Sequence, residues 1–280
     1  MKILEAIKTG SKLLKEKNIS TYILDSELLL SKSLNKSREE ILINLEQNIN
    51  KEKVLKDFSS YLIRRSKKEP IAYLLEEKEF WSKKFFVNKN TLIPRPETEL
   101  LVEKLVTIFK KKRITILDVG TGTGCIILSL LYELKNSSGI ALDISNKAIL
   151  VAKKNACKFK LTDRIKFLNK PFENFYGKKF DLIVSNPPYI KRKDIKNLSD
   201  DIKKYEPRMA LDGGNDGLDL IKKVIYKSRK ILKTNGTLAL EIGFEQINKV
   251  SKILIDNKFR IKSIIKDYKN NVRCIFAEYK

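Results

Sequence analysis

From residue 114 onward, short apolar runs alternate with amphipathic segments of helical period, and this alternation constrains the fold more than any other feature. Ile114–Val119, Gly139–Ile144, Ile165–Leu168, Phe180–Ser185 and Thr237–Ile242 read as strands. Helices are expected over Ile126–Leu134, 146–158 and 217–232. Continuous apolar strands separated by helices imply a parallel sheet covered on both faces, an α/β architecture. Residues 259–265 and 273–279 add two strands around an Asn270-Asn271 turn. Joined so tightly, they must run antiparallel to each other, giving seven strands in all.

The first 75 residues differ. Ile3, Leu4, Ile7, Leu13 and Leu14 recur at helical spacing, as do Ile23, Leu24, Leu28 and Leu29 behind a cap candidate at Ser20-Thr21. Val54, Leu55, Phe58, Tyr61 and Leu62 repeat the pattern, and Ser37-Arg38-Glu39-Glu40 has the form of a helix start with acids in its first turn. Pro70 closes this helical bundle. Residues 79–93, aromatic and β-branched with a polar Asn88-Lys89-Asn90 interruption, carry a hairpin signature. Pro94 and Pro96 then stiffen the approach to a helix over Glu97–Lys110. The domains expected are a helical one at 1–75, a hairpin linker at 76–96 and an α/β domain at 97–280.

Composition narrows the chemistry. The chain has no histidine, which excludes Ser-His-Asp and Cys-His catalysis and points to reactions that need little proton shuttling. Cys125, Cys157 and Cys274 are scattered without C-x-x-C spacing, so no metal is expected. The net charge of +24 comes mostly from lysine, with only eleven arginines, whereas phosphate and base readout favour the arginine fork. Charge alone therefore does not decide the function. No apolar run approaches the roughly 20 residues that span a bilayer, and the N-terminus has no signal-peptide core, so a cytoplasmic protein is expected.

The first strand runs into Asp118-Val119-Gly120-Thr121-Gly122-Thr123-Gly124. Glycines here let the backbone turn sharply and approach a ligand at a helix N-terminus. The spacing departs from the dinucleotide pattern G-x-G-x-x-G. An acid at Asp118 would repel a pyrophosphate and attract the cationic, amine-bearing methionine part of S-adenosylmethionine. Asp143 ends the second strand about 20 residues past the loop, where a ribose-binding acid belongs. A carboxylate there accepts both ribose hydroxyls. Asn169-Lys170-Pro171-Phe172 follows the third strand, where such sheets hold adenine, and Phe172 can pack on the base or in the core.

The fourth strand ends in Asn186-Pro187-Pro188-Tyr189. In open α/β sheets ligands bind beyond the carboxyl ends of the strands, and this strand should lie beside the first. Two prolines remove two N–H donors and fix φ, leaving their carbonyls free to face the cofactor. Asn186 adds a side-chain acceptor, so one NH2 group can be held by both hydrogens with its nitrogen toward the sulfonium methyl. Tyr189 can stack on a flat amide or base. A planar nitrogen is a poor nucleophile, and acceptors that strengthen as positive charge develops on it lower the barrier. The tetrapeptide indicates N-methylation of a planar group without choosing among adenine, guanine and glutamine.

Further motifs carry a resemblance. Glu69-Pro70-Ile71-Ala72-Tyr73-Leu74, Glu79-Phe80-Trp81, Leu92-Ile93-Pro94-Arg95-Pro96-Glu97-Thr98-Glu99, the glycine loop, Asn186–Tyr189, and Tyr205-Glu206-Pro207 through Leu211-Asp212-Gly213-Gly214-Asn215-Asp216-Gly217 occur in order along almost the whole chain. Together they resemble the HemK/PrmC release-factor glutamine methyltransferases. The resemblance implies a class I (Rossmann-like) methyltransferase fold, a seven-stranded sheet with the last strand antiparallel, joined by a β-hairpin to a small helical domain that helps bind the substrate protein. It implies methyl transfer from S-adenosyl-L-methionine, leaving S-adenosyl-L-homocysteine, to N5 of the glutamine in the Gly-Gly-Gln motif of class I peptide chain release factors. On that pattern Asp118, Gly120, Thr121, Gly122, Thr123, Gly124, Asp143, Pro171, Phe172 and Asn186 bind cofactor. Asn186, Pro187, Pro188 and Tyr189 hold the glutamine, and Arg95, Glu97 and Glu99 shape its pocket or the cofactor rim, or form an ion-pair cluster at the linker. Tyr205 stands where many relatives carry histidine, and Pro171 where they often place Leu or Trp. A monomer that does not require nucleic acid is expected. The competing reading is an adenine-N6 or guanine-N2 nucleic-acid methyltransferase, which holds an extruded base with the same tetrapeptide.

Overall fold

Six helices lie in the first of the two units into which the chain packs. The computed structural model describes residues 1–280. The first unit is Met1–Glu77 with Ser199–Tyr205, and the second is Lys78–Leu198 with Glu206–Lys280. Helices α1 (Ile3–Glu16), α2 (Tyr22–Leu34), α3 (Arg38–Ile43), α4 (Glu52–Ser66) and α5 (Ile71–Leu75) enclose a core that includes Leu14, Leu29, Leu30, Ile41, Phe58, Leu62 and Leu74. The helix start expected at Ser37 is a reciprocal cap: the Glu40 N–H donates to Ser37 Oγ (3.1 Å) and the Ser37 N–H to Glu40 Oε2 (2.6 Å).

The inward face of α2 differs from its apolar spacing. Ile23 and Leu24 are exposed, and the buried face runs through Asp25, Ser26, Leu29 and Leu30. Ser26 Oγ donates to the Ile7 carbonyl (3.1 Å), and Asp25 pairs with Arg65 at 2.7 Å. Polar groups with partners can be buried at little cost, so hydrophobicity alone points to the wrong side of this helix. Thr21, the expected cap, donates its hydroxyl to Asp25 instead (2.9 Å). Within this same unit the Tyr205 hydroxyl donates to the Lys67 carbonyl (2.8 Å), a contact that needs no imidazole.

A hairpin follows, β1 (Glu77–Phe80) and β2 (Lys83–Phe86). Its turn is Trp81-Ser82, both at φ 52°, and not the Asn88-Lys89-Asn90 interruption. Positive φ at both central residues is the geometry of a two-residue hairpin turn, which usually takes Asn or Gly. Trp81 tolerates it because its backbone N–H donates to Glu99 (2.9 Å) and its indole N–H to Glu133 (2.9 Å). Asn88 makes a separate turn beyond the hairpin, accepting the Asn90 N–H on Oδ1 (2.9 Å) and the Thr91 N–H on its carbonyl (3.1 Å).

The remaining strands are β3 (Thr115–Val119), β4 (Ser138–Asp143), β5 (Ile165–Asn169), β6 (Phe180–Ser185), β7 (Leu232–Glu241), β8 (Phe259–Lys266) and β9 (Val272–Tyr279). They form one sheet in the order β5-β4-β3-β6-β7-β9-β8, with β3 to β7 parallel and β9 antiparallel to both neighbours. This is the expected seven-stranded arrangement. Ile116, Leu182, Val184 and Ala239 point to one face, packed under α6 (Glu99–Phe109) and α7 (Cys125–Glu133). Leu117, Ile183, Leu238 and Leu240 point to the other, packed under α10 (Asp219–Ile231) and α11 (Ile247–Asp256), which follow α8 (Asn146–Lys158) and α9 (Asp200–Tyr205) in the chain. Burial on both faces explains the continuous apolar runs. The connections leave β3 toward β4 on one side and β6 on the other, opening a crevice at the carboxyl ends of these strands. No helix is long and apolar enough to cross a membrane.

Asn155 of α8 fastens the hairpin to the loop that opens this crevice. Its Oδ1 accepts the Phe86 N–H (2.7 Å), and its Nδ2 donates to the carbonyls of Phe86 (3.0 Å) and Thr123 (2.9 Å). The side chain is fully buried, so no water replaces it. Asn155→Ala is therefore expected to cost about 3 kcal/mol in urea unfolding, and a loss under about 1 kcal/mol would show that these bonds do not fasten the loop.

Candidate active site

At the end of β3 the chain turns on two N–H groups, from Gly120 and Thr121, that both donate to the Leu142 carbonyl on β4 (2.8 and 3.0 Å). Gly122 lies at φ +53°, and a Cβ added there would meet nothing within 4 Å. Its glycine is required by backbone conformation, and the space beside it is open. That space belongs to a cavity of about 520 Å³ at the crevice. Asp143 lines it from the end of β4 and is held from behind: Oδ2 accepts the Gly122 N–H (3.0 Å) and Oδ1 the Ser145 N–H (2.9 Å). Each oxygen keeps a lone pair, so the carboxylate can take two hydroxyls of a ribose. Burial pushes Asp143 up, and these backbone N–H bonds oppose the shift.

Asp118 sits deeper than its sequence position suggests. It is 1% exposed and does not line the cavity. Thr121 Oγ1 donates to its Oδ2 (2.7 Å), whereas Oδ1 is buried without a protein partner. Burial, with Asp143 adding to it, raises Asp118 to about 7. An unmatched carboxylate oxygen behind a glycine cradle suits a cofactor that brings positive charge, as S-adenosylmethionine does. Pro171 and Phe172 complete this end, Pro171 exposed on the wall and Phe172 nearly buried between cavity and core.

The far wall carries Asn186 and Pro188. Pro187 is buried, and Tyr189 packs on the core with its hydroxyl on Glu241 Oε1 (3.2 Å). Asn186 Nδ2 donates to Thr98 Oγ1 (3.3 Å), and Thr98 Oγ1 donates to Glu241 Oε2 (2.6 Å). The Asp212–Gly217 motif backs the tetrapeptide. Ile190 and Asp212 form a parallel bridge, closed by Ile190 N–H to the Leu211 carbonyl (3.1 Å) and Gly213 N–H to the Ile190 carbonyl (2.8 Å). A Cβ on Gly213 would lie 2.8 Å from the Pro188 oxygen and the Tyr189 Cα, so only glycine admits this approach. Gln246 Nε2 adds donors to the carbonyls of Tyr189 (3.1 Å) and Gly217 (2.9 Å).

Arg95 lines the cavity and donates from Nη2 to the buried Glu206 (2.6 Å), whose other oxygen accepts the Ile93 N–H (3.1 Å). Glu97 does not line the cavity, and Glu99 accepts the Trp81 N–H. The cavity thus gathers Arg95, Gly120, Thr121, Gly122, Thr123, Asp143, Pro171, Phe172, Asn186 and Pro188. Gly124 and the side chains of Asp118, Pro187 and Tyr189 stand behind its wall. Thr98 and Glu206 stood in the quoted motifs without an assigned role, and Glu241 and Gln246 stood in none. The one local signal was Glu241, an acid closing an apolar strand at the carboxyl edge of the sheet.

Because Asp118 is raised from 3.8 to about 7 in the folded protein, its contribution to stability is fully present below 3.8 and is lost as the pH rises through about 7. That loss amounts to on the order of 4 kcal/mol. Asp118→Asn is expected to flatten this part of the stability profile of the ligand-free protein between pH 5 and 8, read by denaturant unfolding. An identical slope in the variant would mean that Asp118 is already ionised at pH 5.

Residues 5–75 match the PrmC N-terminal domain family and residues 96–205 the methyltransferase small domain family. The release factor glutamine methyltransferase of Clostridium acetobutylicum is 41% identical over 283 residues, covering 99% of this chain and 98% of that one. A bifunctional methyltransferase of Rickettsia conorii is 39% identical over 92% of this chain, which spans only 54% of its length. Among solved structures, the catalytic domain of hMettl16 in complex with an RNA hairpin superposes with a TM-score of 0.58 over 81% of this chain and 82% of that one, at 15% identity, a likeness of fold. With the glycine loop, Asp143 and Asn186 gathered on one cavity, and with 41% identity to the clostridial enzyme across 99% of this chain, the protein belongs to the release factor glutamine methyltransferase family and is an S-adenosylmethionine-dependent methyltransferase.

Proposed function

We propose that this enzyme methylates N5 of the glutamine in the Gly-Gly-Gln motif of class I peptide chain release factors. The observation that carries this reading is the meeting of Asn186 and Pro188 with the glycine loop and Asp143 on one cavity, in a chain so similar to a release factor glutamine methyltransferase. Gly120–Gly124 and Asp143 hold the methionine and ribose parts of the cofactor, and Pro171 and Phe172 flank its base. Bound there, S-adenosylmethionine supplies a sulfonium methyl and leaves as S-adenosylhomocysteine.

Asn186 Oδ1 and the Pro187 carbonyl accept the two N–H bonds of the glutamine amide. These bonds strengthen as charge develops on the nitrogen, and one proton is then released to solvent. Pro188 and Tyr189 keep the tetrapeptide rigid, and Arg95, fixed by Glu206, shapes the entry. Glu97 lies outside the cavity and is assigned to the linker cluster. Residues 1–75 contribute to release factor binding, 76–96 link, and 97–280 catalyse. The enzyme acts as a cytoplasmic monomer and needs no nucleic acid.

Labelled S-adenosylmethionine, offered with release factor, a Gln→Ala release factor and RNA, is expected to label only the first. Label in RNA and none in release factor would establish the nucleic-acid reading instead. Asn186→Ala is expected to lower turnover about 10²- to 10³-fold while cofactor affinity stays measurable. Near-normal turnover would remove Asn186 from its assigned role.

A further inference from the structure

We infer that Thr98 and Glu241 are positioning residues that turn the Asn186 amide so that its oxygen, and not its NH2, meets the substrate nitrogen. The inference rests on the reading of Asn186 as the holder of the substrate amide. An asparagine side chain has nearly the same shape in either of two orientations related by a half-turn. One presents an acceptor to the incoming NH2 group. The other presents two hydrogens to two hydrogens, which would repel the substrate and withdraw the acceptor that stabilises charge on its nitrogen. Shape does not select between them, so the partners of the amide must.

Those partners form a short buried chain with one sense. Thr98 and Tyr189 both place a hydroxyl against Glu241, at 2.6 and 3.2 Å. Each hydroxyl donates to a separate oxygen of Glu241, Thr98 to Oε2 and Tyr189 to Oε1. The single hydrogen of Thr98 is thereby committed to Glu241, and only its lone pairs remain for Asn186. At 3.3 Å, Asn186 must therefore offer Nδ2, which leaves Oδ1 for the cavity. Thr98 and Glu241 are 2% and 1% exposed, so water does not compete for these bonds. Burial and Glu97 push Glu241 up, while the two hydroxyls and Arg273 on β9 favour its charged form. Neither Thr98 nor Glu241 acts on the reacting atoms in this scheme. Their effect passes entirely through Asn186.

Thr98→Val keeps the side-chain shape and removes the hydroxyl, whereas Thr98→Ser keeps the hydroxyl and removes the methyl. With purified release factor, Thr98→Val is expected to lower kcat about 10- to 100-fold while KM for release factor and the calorimetric Kd for S-adenosylmethionine stay within about threefold. Thr98→Ser is expected to return kcat to within about threefold of the unsubstituted enzyme. Should Thr98→Val not fold, Thr98→Ala removes the same hydroxyl and is read the same way. A kcat within about twofold in the hydroxyl-free variant would overturn the inference, as would a Ser variant as impaired as the Val variant. A parallel loss of cofactor affinity would also overturn it, because the defect would then be in the cavity as a whole. If the unsubstituted enzyme fails to label release factor, the fault lies instead with the proposed substrate.

Discussion

The Glu241 side chain is buried at the carboxyl end of β7, and the cavity wall that carries Asn186 is organised around it. A buried charge costs several kcal/mol unless hydrogen bonds and opposite charge offset the loss of water. Here the offset comes from the hydroxyls of Thr98 and Tyr189 and from Arg273 nearby. Because these groups arrive from separate parts of the chain, satisfying one carboxylate brings together the segment before α6, the tetrapeptide after β6 and the antiparallel strand β9. The device recurs elsewhere on the cavity wall. Asp143 is held by the N–H groups of Gly122 and Ser145, and Glu206 holds Arg95 and the Ile93 N–H. Each acid fixes backbone or side chains on the cavity wall, and each would be left unmatched if the wall moved.

The catalytic fold was legible because its signals are local. Strands buried on both faces must be apolar throughout, so their positions and parallel pairing follow from the runs themselves. The adjacency of β3 and β6 followed from where ligands bind in such sheets, and the pairing of Val119 with Ser185 realises it. The failures are equally physical. The hairpin turns at Trp81-Ser82, which carries no turn signal, because Glu99 and Glu133 bind the tryptophan from outside the hairpin. The buried face of α2 includes a serine and an aspartate, whose partners on α1 and α4 cannot be read from the periodicity of α2 alone.

The candidate site divides along the same line. The glycine loop, Asp143 and Asn186–Tyr189 are contiguous motifs at strand ends, and their chemistry can be argued from residue types. The residues that aim them are remote. Thr98 and Glu241 are 143 positions apart, and Arg95 and Glu206 are 111 apart. Arg95, Thr98 and Glu206 lie in quoted motifs, but no spacing in the sequence says that Thr98 meets Glu241 or that Arg95 meets Glu206. Asp118 shows the converse, a residue well placed in its motif whose side chain lies behind the loop and not on the cavity wall. The Asp212–Gly217 segment had a motif but no evident role until its close approach to Pro188 and Tyr189 supplied one.

On the proposed function everything converges on the Asn186 side chain, whose oxygen would then face the nitrogen that is methylated. A crystal structure of the enzyme with S-adenosylhomocysteine and a Gly-Gly-Gln peptide, at a resolution that separates amide oxygen from nitrogen, measures this directly. The account requires Asn186 Oδ1 at a hydrogen-bonding distance, about 2.7–3.2 Å, from the glutamine side-chain nitrogen, with Nδ2 still on Thr98. Nδ2 turned toward the glutamine, or the glutamine nitrogen lying out of reach of Asn186, would contradict it.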